Sequence, residues 1–154
     1  MKHFLLGVLA LSAMVLPAAG ASVTRCADNP NVAQPANAAQ PQEKYTRRFS
    51  NGAIRVSVMD TEEPACCSWH LMIQSPAGAG KKAAPACHIV SDSKTGGFSG
   101  VDFARLTSSY DPKKGVLLTV PVRIYDMKKS DGSSRPGVAR VRINSATGSV
   151  TVEK

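Results

Sequence analysis

The sequence has few aromatic and few acidic residues. Its 154 residues include one Trp, three Tyr and four Phe, and they carry 11 Asp and Glu against 19 Lys and Arg. The scarcity of aromatic side chains argues against a nucleic-acid-binding module, because such modules usually stack bases on several exposed rings. The excess of basic residues favours an acidic protein, or an anionic component of the cell envelope, as the partner.

Residues suited to catalysis are equally scarce. Beyond His3 the chain has two histidines, His70 and His88, and its clustered carboxylates lie in a single turn at residues 60–63. No spacing places a general acid and a general base on one face of a strand. We therefore expect a protein that is not an enzyme and that needs no cofactor.

Long apolar runs are absent except at the N-terminus. Phe4–Leu16 is an apolar run of 13 residues, shorter than the roughly 20 that a membrane-spanning helix needs. Lys2 precedes the run, and the small residues Ala19-Gly20-Ala21 follow it in the A-x-A pattern of a cleavage site. We expect residues 1–21 to be a signal peptide that is cleaved after Ala21. The mature chain would then be periplasmic or secreted and would have no transmembrane segment.

Four cysteines remain in the mature chain: Cys26, Cys66, Cys67 and Cys87. An even number of cysteines in a small exported domain indicates two disulfides. A bond between the adjacent Cys66 and Cys67 would close a strained eight-membered ring. We therefore expect Cys26 to bond one of these two cysteines and Cys87 to bond the other.

The same region also allows a metal site. Cys67, His70, Cys87 and His88 together offer two thiolates and two imidazoles, a set that zinc accepts. However, strand residues that are adjacent or three apart point to opposite faces, and an oxidising compartment favours disulfides. The metal site is therefore the alternative to the two disulfides.

The segment after the signal peptide lacks the material for a core. Residues 27–43 consist largely of Ala, Pro, Gln and Asn and contain almost no large apolar side chain. Such a composition cannot bury enough surface to offset the entropy of ordering. We expect residues 22–43 to form a flexible arm, which a disulfide at Cys26 would tether.

Residues 44–154 predict a single β domain. Short runs alternate between apolar and polar side chains, and Asn51-Gly52 between two of them predicts a hairpin. The alternation is clearest over Val116–Tyr125, where Pro121 predicts an edge strand or a bulge. Residues 103–110 suit a strand or a short helix. Seven or eight strands and no ordinary helix indicate an all-β fold, a small antiparallel sandwich or barrel held together by disulfides.

Three arginines fall on the predicted solvent side of the C-terminal strands: Arg123, Arg140 and Arg142. If their strands are neighbours, these side chains form a basic stripe that Lys128 and Lys129 extend. Arginines in this arrangement bind phosphates or carboxylates through paired hydrogen bonds. The alternative is that the charges simply protect the sheet edges.

Together these features favour an exported, non-enzymatic binding protein that sequesters or inhibits a protein partner. At the level of architecture alone, the profile resembles periplasmic inhibitors and immunity proteins. The first alternative is an envelope module that binds an anionic glycolipid or polymer through the basic strand face. The second is a metal-binding protein that uses the Cys and His set.

Overall fold

The computed structural model describes residues 20–80 and 84–154. Most of the predicted signal peptide therefore lies outside the described residues. Within those residues, no helix is both long and apolar enough to cross a membrane. The strands are β1 (Ser22–Arg25), β2 (Thr46–Phe49), β3 (Ile54–Asp60), β4 (Trp69–Ser75), β5 (Ala86–Ser91), β6 (Gly100–Val101), β7 (Thr107–Asp111), β8 (Gly115–Tyr125), β9 (Ser134–Asn144) and β10 (Ser149–Glu153).

The helical elements are all short. One α-helical turn covers Gln42–Tyr45, and single 3₁₀ turns cover Cys26–Asp28, Pro35–Asn37 and Phe103–Arg105. The region at 103–110, predicted as strand or helix, thus contains one of each, because β7 follows the last 3₁₀ turn.

The strands form two antiparallel sheets that pack face to face. Sheet I has the order β1-β5-β4-β3-β2, and sheet II has the order β10-β9-β8-β6, with β7 also paired to β8. Alternate residues of both sheets fill one core; its fully buried members include Ile54, Val56, Leu71, Ile73, Val90, Leu118, Val120, Ala139, Val141 and Ile143. The predicted all-β class is confirmed, and the architecture is a sandwich. The described residues form ten strands, more than predicted, because β1 lies in the predicted arm and β6 is too short to show alternation.

The hairpin predicted at Asn51-Gly52 is present and is closed by two overlapping turns. Phe49 pairs with Ile54, and Gly52 N donates to Phe49 O at 3.1 Å. Ala53 N also donates to Ser50 O at 3.1 Å. The central residues are therefore Ser50 and Asn51 in the first turn and the predicted pair, Asn51 and Gly52, in the second, with φ of 52°, 54° and 89°. Positive φ at both positions is what a type I′ turn requires.

Pro121 does not mark an edge strand, because β8 has neighbours on both sides. Instead, the neighbouring chain is interrupted beside it: β6 ends opposite Val122 and β7 begins opposite Thr119. The 3₁₀ turn fills this gap, and Asp102 N donates to Pro121 O at 2.9 Å. In an antiparallel pair, the N–H and C=O of one residue point to the same side. The side on which Pro121 has no N–H to donate is therefore the side on which the neighbouring chain is interrupted between β6 and β7.

The segment at 22–43, predicted as a flexible arm, lies on sheet I. β1 pairs with β5 along four residues, and Val32 is buried with Met59 and Ile89 on the outer face of the sheet. The composition did not predict this arrangement, because strand pairing uses main-chain groups and because Val32 covers Met59 and Ile89 with only small neighbours, Cys26, Ala33 and Ala38. The disulfide between Cys26 and Cys87 fastens the segment to β5.

Candidate functional site

All four cysteines form disulfides, but the predicted pairing was wrong. Cys26 bonds Cys87, with their Cα atoms 5.4 Å apart, and the adjacent Cys66 and Cys67 bond each other. Cys26 follows β1 directly, and the antiparallel pairing of β1 with β5 places it beside Cys87. Cys67 has a left-handed backbone conformation, with φ of 70°. It does not alternate with Cys66 as residues of a strand would.

The Cys and His set proposed for a metal is not assembled. Cys67 and Cys87 are bonded in disulfides and offer no thiolate. His70 pairs with Met59 on the outer face of sheet I, whereas His88 pairs with a core residue of β4 on the inner face. Within residues 20–80 and 84–154, no three His, Cys, Asp or Glu side chains are grouped to hold a metal ion. The metal hypothesis was therefore wrong for these residues.

The predicted basic stripe is divided into two groups. β8 and β9 are neighbours, and Arg123, Arg140 and Arg142 share the outer face of sheet II. Arg142 Nε lies 2.7 Å from Glu153 Oε1, and Arg140 Nη2 lies 3.9 Å from Oε2 of the same carboxylate. Arg123 pairs with Pro136, four residues from Arg140 along β9 and therefore roughly 13 Å away.

The charge of Arg142 is satisfied within the protein. Its guanidinium donates to both carboxylate oxygens of Glu153 and to Gly115 O. The hydrogen bond from Arg142 lowers the pKa of Glu153 below its ordinary value. The remaining basic residues of the predicted stripe are Arg123 on β8 and the exposed Lys128 and Lys129 in the loop that follows β8. We call these three residues the free basic group.

A cleft of about 750 Å³ opens beside Arg123. It lies where the chain crosses from sheet I to sheet II: Phe98 exchanges two backbone hydrogen bonds with Trp69, and β6 then pairs with β8. We call it the corner cleft. Its apolar lining includes Tyr45, Trp69, Val101, Phe103, Pro121, Pro136 and Val138, and its charged lining is Lys44, Asp102, Arg105 and Arg123.

The charges of the corner cleft are unbalanced. Asp102 accepts a hydrogen bond from Arg105 Nε at 2.6 Å, which lowers the pKa of the carboxyl group. Arg123 instead donates to Ser134, from Nε to Oγ and from Nη2 to the backbone oxygen, both at 2.8 Å. Neither Arg123 nor Lys44 has an acidic partner in the described part of the chain.

Two aromatic rings form one wall of the corner cleft. The ring centroids of Tyr45 and Trp69 are 6.0 Å apart and their planes are inclined by 50°. The Lys44 Nζ atom lies 5.2 Å from the Tyr45 centroid. Apolar walls with a few placed charges are typical of sites that bind a ligand with both an apolar and a charged part. This arrangement suits a ligand that carries a negative charge.

A smaller polar cavity, about 360 Å³, lies beside the Cys66–Cys67 disulfide. It includes a buried pair in which His70 Nδ1 and Ser91 Oγ are 2.8 Å apart. Burial lowers the pKa of His70. Gly97 packs over this ring so closely that a Cβ there would lie 2.8 Å from His70 Cε1.

Sequence analysis did not identify the corner cleft or the His70–Ser91 pair. The alternation places His70 on the outer side of β4, but its partner depends on the register between β4 and β5. The corner cleft depends on the crossing at Phe98, for which the glycine-rich sequence offers no signal. Comparison of this chain with protein families, curated proteins and solved structures found no match.

Proposed function

We propose that this protein is an exported, non-enzymatic binding protein that sequesters or blocks a protein partner by holding an acidic segment of it in the corner cleft. The observation that carries the proposal is the pair of cations without acidic partners, Lys44 and Arg123, at an apolar cleft. A partner's carboxylates would neutralise these cations while its apolar side chains cover the aromatic wall.

The geometry favours binding without large rearrangement. Ser134 holds Arg123 through two hydrogen bonds, so ordering this side chain on binding costs less conformational entropy. With the signal peptide and Lys2 removed, 18 basic residues remain against 11 acidic ones, a net charge of +7. Such a charge speeds the encounter with an acidic partner and repels basic proteins.

Export is part of the proposal. β1 begins at Ser22, so cleavage after Ala21 would leave the strand that pairs with β5 complete. N-terminal sequencing of the protein recovered from the periplasm or medium tests this point. We expect the sequence to begin at Ser22; a chain that retains Met1 in the cytoplasm would contradict the proposal.

Charge reversal in the corner cleft tests the binding site. The variant Lys44→Glu/Arg123→Glu is compared with Lys128→Glu/Lys129→Glu, which changes the net charge equally at exposed positions outside the cleft lining. Each immobilised protein is exposed to the exported proteins of its host, and the retained partner is then purified for affinity measurements. We expect the cleft variant to bind that partner at least about 10-fold more weakly, given the loss of charge-assisted contacts. The lysine control should bind within about twofold of the unchanged protein, because rim charges contribute little.

A second candidate function is favoured by the free basic group. Arg123, Lys128 and Lys129 could bind an anionic glycolipid or polymer of the envelope. Phosphatidylglycerol vesicles and lipopolysaccharide serve as probes at low and moderate salt, since such binding weakens as salt rises. Retention that is lost in Lys128→Glu/Lys129→Glu would favour this function. Protein capture that is unaffected by the cleft variant would contradict the first proposal.

A further inference from the structure

β7 is an edge strand with little protection. It pairs only with β8 among the described residues, and every residue from Thr107 to Tyr110 is exposed. Edge strands in natural proteins are usually protected by Lys, Arg or Pro. β2, the edge strand of the opposite sheet, carries Arg47 and Arg48, whereas β7 has no basic residue and no proline, and its one charged residue, Asp111, is at its end.

The register shows which main-chain groups of β7 are free. Asp102 N donates to Pro121 O, so odd-numbered residues of β8 direct their N–H and C=O groups toward the side of β6 and β7. These residues pair with the odd-numbered residues of β7. Because hydrogen-bonded and non-bonded positions alternate along an antiparallel pair, Ser108 and Tyr110 direct their N–H and C=O groups to the open edge.

Tyr110 lies on the inner side of the sheet and is nevertheless exposed. It pairs with the core residue Val116, so its side chain is on the core side of sheet II. The residue is nevertheless 71% exposed. A groove of about 410 Å³ separates it from Phe49 at the end of β2. The space beside β7 is therefore lined by side chains that a further strand would cover.

The start of β7 is fixed in place. Arg47 of β2 donates from Nη1 to Leu106 O at 3.0 Å and from Nη2 to Ala104 O at 3.1 Å. The guanidinium also lies 5.5 Å from the centre of the Phe103 ring. These contacts join the edges of the two sheets just before β7, so the open edge is formed in advance of binding.

We propose that β7 is a strand-addition site for an extended segment of a protein partner. The segment would hydrogen-bond to the main chain of Ser108 and Tyr110, and its alternate residues would be apolar and occupy the groove beside Phe49. Main-chain bonds supply affinity in this mode, and the pockets for alternate side chains supply specificity. The surface is separate from the corner cleft and does not depend on the function proposed for it.

Charge complementarity identifies the occupant. The turn after β7 carries Lys113 and Lys114, both exposed and without an acidic side-chain partner within 4 Å among the described residues. A partner strand with Asp or Glu at this end is therefore favoured. A second copy of the chain would bring another strongly basic surface with a net charge of +7, which repels at close range.

Peptide selection and amide exchange test the proposal on the full mature protein with its disulfides intact. A displayed library of random nine-residue peptides is selected on the immobilised protein, and enriched peptides are synthesised. We expect them to alternate apolar and polar residues and to carry carboxylates at one end. In the free protein the amide protons of Ser108 and Tyr110 should exchange rapidly and that of Ser109 slowly. A saturating peptide should slow exchange at Ser108 and Tyr110.

Two variants at one position separate the main-chain contact from the side chain. Ser108→Pro removes the free N–H, and Ser108→Ala keeps it. We expect the proline variant to bind the peptide roughly 2- to 12-fold more weakly, the equivalent of one hydrogen bond, and the alanine variant to bind as the unchanged protein does. If the proline variant does not fold, the exchange experiment on the unchanged protein still decides.

Three outcomes would overturn the proposal. The first is that no peptide is enriched. The second is that enriched peptides leave exchange at Ser108 and Tyr110 unchanged or lose binding only in Lys44→Glu/Arg123→Glu, which would place them in the corner cleft. The third is a dimer in sedimentation experiments that Ser108→Pro dissociates, which would make a second copy the occupant.

Discussion

The outer face of sheet I is covered, whereas the outer face of sheet II is open. On sheet I, Val32 packs on Met59 and Ile89, and a disulfide fastens the covering segment. On sheet II, Val138 and Arg123 border the corner cleft. The comparison shows that a segment with very few apolar residues can complete one side of a small sandwich. The outer face of sheet II, which the segment does not reach, contributes Arg123 and Val138 to the corner cleft.

Removing the Cys26–Cys87 disulfide, which fastens the cover of sheet I, should lower the stability of the protein more than any other change proposed for the two sheets. The bond joins residues 61 apart in sequence, and closing so long a loop in the unfolded chain is expected to stabilise the protein by roughly 4 kcal/mol. We expect Cys26→Ser/Cys87→Ser to lower the free energy of unfolding by about that amount in urea denaturation. The backbone amide protons of the segment that covers sheet I should also exchange faster with solvent.

The Cys66–Cys67 disulfide offers the matched control. It joins adjacent residues and so hardly restricts the unfolded chain. Cys66→Ser/Cys67→Ser should therefore change the free energy of unfolding much less than the first pair does. Equal losses of unfolding free energy in the two double variants would show that the Cys26–Cys87 disulfide does not stabilise the protein by closing a long loop in the unfolded chain.

Truncating an apolar side chain on the covered face of sheet I should destabilise the protein more than truncating one on the open face of sheet II. Met59 of β3 is fully buried under the covering segment. Replacing a methionine by alanine at such a site costs roughly 2–5 kcal/mol of stability. Val138 is only half-buried on the outer face of sheet II, so Val138→Ala should cost well under half as much. Urea denaturation of Met59→Ala and Val138→Ala measures both. Similar losses would mean that the cover on sheet I contributes little packing.

The two arginine groups of sheet II should also differ. Arg142 bridges β9, β10 and the start of β8 through Glu153 and Gly115, whereas Arg123 is exposed and bonds only Ser134. We expect Arg142→Ala to lower the Tm and Arg123→Ala to leave it nearly unchanged. Binding should show the reverse order, since Arg123 lines the corner cleft. Thermal unfolding and partner affinity of both variants test this division.

Acidification should weaken sheet I modestly. Burial lowers the pKa of His70 below its ordinary value of 6.5, so the unfolded chain takes up a proton before the folded one does. Stability is therefore full above pH 6.5 and declines as the pH falls toward the lower pKa of the folded state. Tm measured between pH 7.5 and 5 should fall with pH, and His70→Asn should flatten that slope. His88, whose pKa burial also lowers, accounts for part of the remainder.

Local sequence patterns predicted most of the strands. The features that they missed form through contacts between residues that are far apart in sequence. The strand over residues 116–125 and the hairpin at Asn51-Gly52 follow from local sequence, because period-two alternation and the residues of a tight turn are both local signals. β1 could not be predicted, since its four residues form a strand only through pairing with β5. The corner cleft requires residues from five separate segments, and the Cys66–Cys67 bond requires a backbone conformation that strand patterning does not encode.

The disulfide between Cys26 and Cys87 also determines how the protein responds to proteases. A single cut anywhere in residues 27–43 would leave β1 covalently joined to the rest of the molecule and still paired with β5. Such a nicked protein would migrate as one band without reductant and would release a short N-terminal peptide only when reduced. A protease can therefore cut the chain in this segment without separating the two fragments.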